Sequence, residues 1–478
     1  MSIPLTIALL TYNRADYLEQ AVTSILAQTY RNFELLILDN CSTDRTPQYV
    51  LSLNDPRIRY VRNPPNSLIE FNGVSAFHIA RGDRLIITHD DDIMHPDMIA
   101  QQMQLMDTHP EVVAVWTNVS LMDGHGDEVA PYFGPPSENR LYGPGEYIAS
   151  FLSERLWPVP STMMLIRNRA PRRWIDEHYY GKHRHTKNKR NRNVAGTADV
   201  FLPACLNTRG TVAYIGKPLL KYRLHASQGT NSVELSTPSI HLYRALGRLL
   251  RRTSFGSSHA PQFDSYVARY QAQHTISNTQ RSTPTASTRK RLASLLQRTC
   301  NTHLDQPAVC YPALPLSILV SQLEPETSIL DSFGALPAPS AKYTTATQHF
   351  YQWQILRTRR RNLFVDHAPD TRITILGSAF VAALLILEAH EQGIQPICCL
   401  DSNAYRHGSS LLGVPIVPPT WLASHGSEVD LVLFSSEKDQ EPYLERLVNQ
   451  HLRASHSSIT RLQPAIYSWK RLVAQAMA

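Results

Sequence analysis

From Ile3 to about residue 120, short apolar runs alternate with stretches of helical periodicity, and this alternation narrows the fold more than any other feature. Ile3–Leu10, Phe33–Leu38, Ile58–Arg62, Leu85–Ile87 and Val112–Asn118 read as strands. Asp16–Gln28, Thr46–Leu53 and Phe71–Ala80 read as helices, the first through Leu18, Ala21, Val22 and Ile25. Each helix carries the chain back across the sheet before the next strand begins, so the strands pair in parallel. The expected architecture is α/β, a mostly parallel, doubly wound sheet. In such sheets ligands sit outside the carboxyl ends of the strands. Here those ends are polar: Thr11-Tyr12-Asn13-Arg14 after the first strand, Asp39 after the second and Asp90-Asp91-Asp92 after a later one. Taken singly, each has a plain structural role, Asn13 and Asp39 as turn formers and Ser42 or Thr43 as a helix cap. Taken together, they converge on one crevice.

Three adjacent Asp side chains repel one another, and a fold keeps them together only when a cation or hydrogen-bond donors compensate. Hard oxygen ligands beside a crevice with room for phosphates suit Mg²⁺ or Mn²⁺. An acidic loop capping the helix after Pro96 is the alternative reading of the triplet alone.

At 478 residues the chain is long enough for two or three domains. It contains no run of eighteen apolar residues that would cross a membrane, and the start lacks the basic segment and cleavage site of a signal peptide. The six cysteines show neither a CxxC pair nor zinc spacing, as expected of packed thiols in a reducing cytoplasm. A formal charge of +7 favours an anionic partner without choosing among phosphate-bearing substrates, membrane surfaces and nucleic acid.

The segments Thr11-Tyr12-Asn13-Arg14, Leu38-Asp39-Asn40-Cys41-Ser42-Thr43-Asp44, Ala80-Arg81-Gly82-Asp83 and His89-Asp90-Asp91-Asp92-Ile93-Met94-His95-Pro96 occur in this order. The set resembles the family 2 glycosyltransferases over about residues 3–230. The resemblance implies a GT-A-type mixed sheet and a nucleoside-diphosphate sugar as donor. It implies that Thr11, Tyr12, Asn13, Arg14, Arg81 and Asp90 line the nucleotide-sugar pocket and that Asp39 reads the base. Asp90 to Asp92 would form the "DXD" site, with Asp91, Asp92 and His225 of Lys221-Tyr222-Arg223-Leu224-His225 holding Mn²⁺ or Mg²⁺. Asp199, in Gly196-Thr197-Ala198-Asp199, aligns with the catalytic carboxylate. An inverting transfer needs one carboxylate to take the acceptor hydroxyl's proton. The sequence departs from the family at Asn40, Cys41, His89 and Ala198, the last standing where Glu is usual. The acceptor would be a glycan or lipid-linked hydroxyl in bacterial surface polysaccharide biosynthesis.

The run Lys182-His183-Arg184-His185-Thr186-Lys187-Asn188-Lys189-Arg190-Asn191-Arg192 has no apolar residue to pack. It either closes over an anionic substrate or is an ordinary solvated charge run. Without interleaved aromatics it does not suit nucleic acid. With the basic helices His241–Arg252 and Arg289–Thr299, it admits peripheral contact of a cytoplasmic protein with the inner membrane surface. The expected division is residues 1–230 for the GT-A-type domain, 231–370 for a mainly helical linker, and 371–478 for a small Rossmann-like α/β domain. In that last domain Ala379 and Ala382 replace glycines that let a backbone approach a pyrophosphate. Two other functions stay open at this point: a non-catalytic nucleotide-sugar-binding scaffold, favoured by Ala198, and an NAD(P)-dependent enzyme acting through residues 371–478.

Overall fold

The computed structural model describes residues 3–64, 69–132, 138–154, 157–171, 175, 197–225, 228, 236–300, 306–340, 343–377, 380–453 and 464–478. The basic run 182–192 lies outside them. The chain divides into two units, one of Met1–His225 with Ala245–Ala260, the other of Ala226–Arg244 with Pro261–Ala478.

The first unit is built on a ten-stranded sheet. Its strands are β1 (Leu5–Thr11), β2 (Glu34–Asp39), β3 (Ile58–Arg62), β4 (Arg84–His89), β5 (Ile93–Met94), β6 (Val112–Met122), β7 (Glu128–Ala130), β8 (Arg140–Tyr142), β9 (Met164–Ile166) and β10 (Thr211–Arg223). The order is β3-β2-β1-β4-β9-β6-β10-β5. β1 pairs in parallel with β2 and β4, and β6 with β10. β9 enters antiparallel between β4 and β6, which makes the sheet mixed while leaving β4, β6 and β10 pointing the same way.

Every residue of β2 is buried, which is why it reads as an unbroken apolar run rather than an alternating one. The connecting helices α1 (Ala15–Leu26), α2 (Thr46–Ser52) and α3 (Ile69–Ile79) fall where the periodicity places them. Leu18, Ala21, Val22 and Ile25 of α1 pack with Leu5, Ile7, Leu9, Leu35 and Ile37 of the strands in one core. Further helices are α4 (Met98–Thr108), α5 (Glu146–Glu154) and α6 (Ala198–Asn207).

In the second unit the helical stretch and the C-terminal sheet share one core. Ala272, Leu296, Leu319, Phe350, Trp353 and Phe364 cluster with Ile373, Ile375, Leu384, Leu433 and Trp469. The boundary expected at residue 370 therefore runs through a packed interior. The sheet's parallel strands, in chain order Ile373–Leu376, Cys398–Leu400, Val414–Val417, Leu431–Phe434 and Ala465–Ser468, lie in the spatial order 3-2-1-4-5, with the short strand Ser410–Leu411 antiparallel at one edge. That is a doubly wound arrangement. Among the described residues, no helix is long and apolar enough to cross a membrane. Cys41, Cys205, Cys398 and Cys399 are free thiols.

Candidate active site

Register brings the polar strand ends of the first unit together. Thr11 stands opposite Asp39, and Leu10 opposite His89, so the next residue, Asp90, falls beside Thr11. The Asp triplet is the turn between β4 and β5. β5 then runs antiparallel along β10, with Lys221 opposite Ile93 and Leu220 opposite Met94. Carried two residues further, that register sets Arg223 against Asp91.

Each carboxylate has its own partners. Asp90 accepts from the Thr11 hydroxyl at 2.8 Å, from the Tyr12 N–H at 3.3 Å and from Arg14 Nη1 at 3.3 Å. Arg14 Nη1 also reaches Asp91 at 2.7 Å, and His225 Nε2 meets the same Asp91 oxygen at 3.0 Å. Asp92 accepts from Ser161 Oγ at 2.5 Å and from the Arg223 N–H at 3.2 Å. Burial and the Asp91 charge push Asp90 above the usual carboxylate range, against the pull of Arg14 and the Thr11 hydroxyl. Burial pushes Asp91 up as well, but the His225 hydrogen bond and the His89 and Arg14 charges outweigh it and hold Asp91 low. Burial with the Asp91 charge pushes Asp92 up to about 8, against the bonds from Ser161 and the Arg223 N–H.

Donor atoms of His89, Asp91 and Asp92 lie within 4.8 Å of one another. Two carboxylates and an imidazole are a fitting donor set for a divalent cation, and the raised Asp92 is a carboxylate whose ionisation such a charge would restore. His225, the expected third ligand, lies 3.0 Å from the Asp91 carboxylate, and the cluster also includes His89, the residue that departs from the family pattern.

Asp39 is fully buried, and its two oxygens accept from the Ser42 N–H at 2.8 Å and the Tyr60 hydroxyl at 2.6 Å. These bonds, with Arg62 Nε 3.5 Å from one of the oxygens, tie Asp39 into the loop beside the site. Asn13, at φ 52°, accepts from the Thr43 N–H at 2.7 Å while its own N–H donates to Ser42 Oγ at 2.9 Å. These bonds knit the loops after β1 and β2 into one rim. Tyr12 is half exposed there.

Arg81 is a correction. It follows α3 and precedes β4, so it sits at the start of the parallel strands, its N–H on Thr6 Oγ1 at 3.2 Å and its guanidinium 3.7 Å from Glu34. Thr6 and Thr11 are separated by the length of β1, roughly 17 Å at strand rise, so Arg81 lies on the opposite rim from the acids. The neighbouring Gly82 has a packing reason: a Cβ there would stand 2.3 Å from the Thr6 nitrogen.

Asp199 occupies the first turn of α6, with Thr197 at the N-cap. α6 leads into β10 through a short turn, and the Asp199 charge acts on the buried Tyr147. Burial raises the Asp199 carboxyl to about 7, while the N–H groups of Asp199 and Val200 at the helix start oppose that shift. Ser161 and Arg223 were not foreseen as site residues. The β5–β10 register points to Arg223, but nothing local to Ser161 signals its bond across the sheet.

Residues 6–170 match the family model for Glycosyl transferase family 2. The putative colanic acid biosynthesis glycosyl transferase WcaA of Escherichia coli K12 is 38% identical over 105 residues, 21% of this chain and 37% of that protein. The succinoglycan biosynthesis protein ExoO of Rhizobium meliloti is 32% identical over 113 residues, 23% of this chain and 32% of the relative. The uncharacterized protein y4gI of Sinorhizobium fredii is 32% identical over 130 residues, 26% of this chain and 14% of the relative. The matched stretch is thus well under half of each relative's length. The N-terminal segment is a glycosyl transferase family 2 domain, and its sheet is the mixed α/β sheet expected of one.

Proposed function

We propose that this protein is an inverting glycosyltransferase that moves a sugar from a nucleoside diphosphate to a hydroxyl of a glycan or lipid-linked acceptor in polysaccharide biosynthesis. The observation that carries the reading is the Asp90–Asp92 turn, where three buried carboxylates are fixed by Thr11, Arg14, Ser161, Arg223 and His225 at the carboxyl ends of the parallel strands β1 and β4. Asp199 takes the proton from the acceptor hydroxyl as that oxygen bonds to the anomeric carbon. On the opposite face the bond from carbon to the diphosphate oxygen breaks, and its electron pair leaves with the diphosphate. Arg14, partly exposed beside Asp90 and Asp91, supplies positive charge on the leaving-group side. His89, Asp91 and Asp92 would hold a Mn²⁺ or Mg²⁺ ion, which would supply further neutralisation of charge on the departing phosphates.

The test is a thermal-shift screen of nucleoside-diphosphate sugars with and without Mn²⁺, followed by a donor-hydrolysis and transfer assay. The reading expects stabilisation by at least one such sugar that depends on metal, and turnover lost in Asp91→Ala. Metal-dependent binding without turnover would leave the scaffold role that Ala198 favours. No binding of any nucleoside diphosphate would end the proposal.

A further inference from the structure

One arginine ties together the segments that carry the acids. Arg223 is 1% exposed, although it ends an edge-proximal strand. Its Nε donates to the Asp91 carbonyl at 2.9 Å, and its backbone N–H donates to Asp92 Oδ1 at 3.2 Å. Nη1 reaches the carbonyls of Gly124 at 3.2 Å and Asp123 at 3.4 Å, and Nη2 donates to Gln20 Oε1 at 2.8 Å. The guanidinium lies 4.7 Å from the centre of the Tyr17 ring, and that ring is 5.0 Å from the His225 ring. A single planar fork thus spans the acidic turn, the β6–β7 turn and α1.

A buried cation is costly to desolvate, and helix, turn and strand need no such charge merely to pack. Lysine could not replace it, since a point ammonium cannot donate in these several directions at once. We propose that Arg223 is a positioning residue: its guanidinium fixes the Asp91 backbone, beside the Asp92 carboxylate that its own N–H holds, in the geometry that binds the cation and the nucleoside diphosphate. This rests on the glycosyltransferase reading above. It deepens that reading by assigning the acids' conformation to the end of β10. That strand follows directly on the helix bearing Asp199, so the acceptor-side carboxylate and the donor-side acids are set by one continuous stretch, Ala198 to His225.

The experiment measures Mn²⁺ binding by calorimetry, and nucleoside-diphosphate binding at saturating Mn²⁺, for wild type, Arg223→Lys and Gln20→Ala, with thermal unfolding in parallel. Changes to groups that orient metal ligands cost about 10–100-fold in affinity. Arg223→Lys is therefore expected to weaken Mn²⁺ binding by about tenfold or more, with donor KM raised and kcat at saturation changed less. Gln20→Ala removes one hydrogen bond, from the guanidinium to a neutral amide oxygen on the solvent side, and keeps the test alive should Arg223→Lys not fold. Its expected loss is about two- to tenfold. Unfolding temperatures that fall while affinities per folded molecule stay within twofold of wild type would overturn the proposal and leave Arg223 a packing residue. A wild-type protein that binds neither Mn²⁺ nor any nucleoside diphosphate would instead sink the reading beneath it.

Discussion

If Asp199 is the base, the transfer rate must follow its ionisation, and burial has moved that ionisation to about pH 7. With one group titrating there, the ionised fraction is about nine-tenths at pH 8 and about one-tenth at pH 6, so the rate should fall about tenfold between them and about tenfold again by pH 5. The assay is initial transfer rate against pH at saturating donor. Mn²⁺ must also be saturating, because Asp92, raised to about 8, otherwise adds a metal-loading limb of its own. The sign of this group's linkage sets its rate limb apart from unfolding. A carboxyl whose folded value is raised binds its proton more tightly in the folded protein. Its contribution to stability is fully present below the ordinary carboxylate range and is lost as pH rises through about 7. From this group, then, acidification from pH 8 to 6 should raise the unfolding temperature while the rate drops. Asp199→Asn should cost about 10²–10⁴ in rate and flatten the limb. A rate that is level from pH 8 to 5.5 would refute the assignment, as would an Asp199→Asn variant that keeps the acidic limb.

Other outcomes follow from single contacts. Asp91→Ala removes the carboxylate shared by Arg14 and His225 and should weaken Mn²⁺ binding by about 10–100-fold in calorimetry. Arg81→Ala, on the far rim, should leave donor affinity within about twofold, measured the same way. Gly82→Ala forces a methyl onto the β1 backbone and should cost about 1–3 kcal/mol or more in urea unfolding. Deleting 182–192 should raise the KM of the acceptor more than that of the donor, read from initial rates with each substrate varied.

What the sequence revealed and what it concealed have physical causes. Strands buried on both faces and helices with one apolar stripe print their period on the chain, which is why β1, β2 and α1 were legible. Arg81 was misplaced because a motif states its neighbours in sequence, not the rim they occupy. A residue between a helix and the strand that follows it belongs to the amino edge, whatever stretch it resembles. Gly216-Lys217-Pro218 reads as a break, yet β10 continues through it from Thr211 to Arg223, absorbing the proline as shifts in register against β6. That continuity delivers Arg223 and His225 to the acids. Short strands such as Ala465–Ser468 escaped notice because four residues carry too little period to separate strand from loop.

The same reasoning bears on the C-terminal sheet. Its first strand ends at Gly377, at φ 108°, the glycine a dinucleotide site would use for close approach of a pyrophosphate. Here the space is taken by protein: a Cβ on Gly377 would stand 2.2 Å from Ser435 Oγ, which donates to the Leu376 carbonyl at 3.0 Å. The backbone angle itself calls for the glycine, so its presence is no argument for NAD(P). The next helix, Phe380–Glu391, is buried at every residue from Phe380 through Ala389, between the sheet and the helices Leu314–Leu323 and Thr345–Thr358. A helix apolar on all sides cannot face water on one of them. A fragment cut at 371 would strip that cover, so failure of such a fragment to bind a nucleotide would report on lost folding as much as on lost affinity. The full chain is the species in which the C-terminal sheet must be tested.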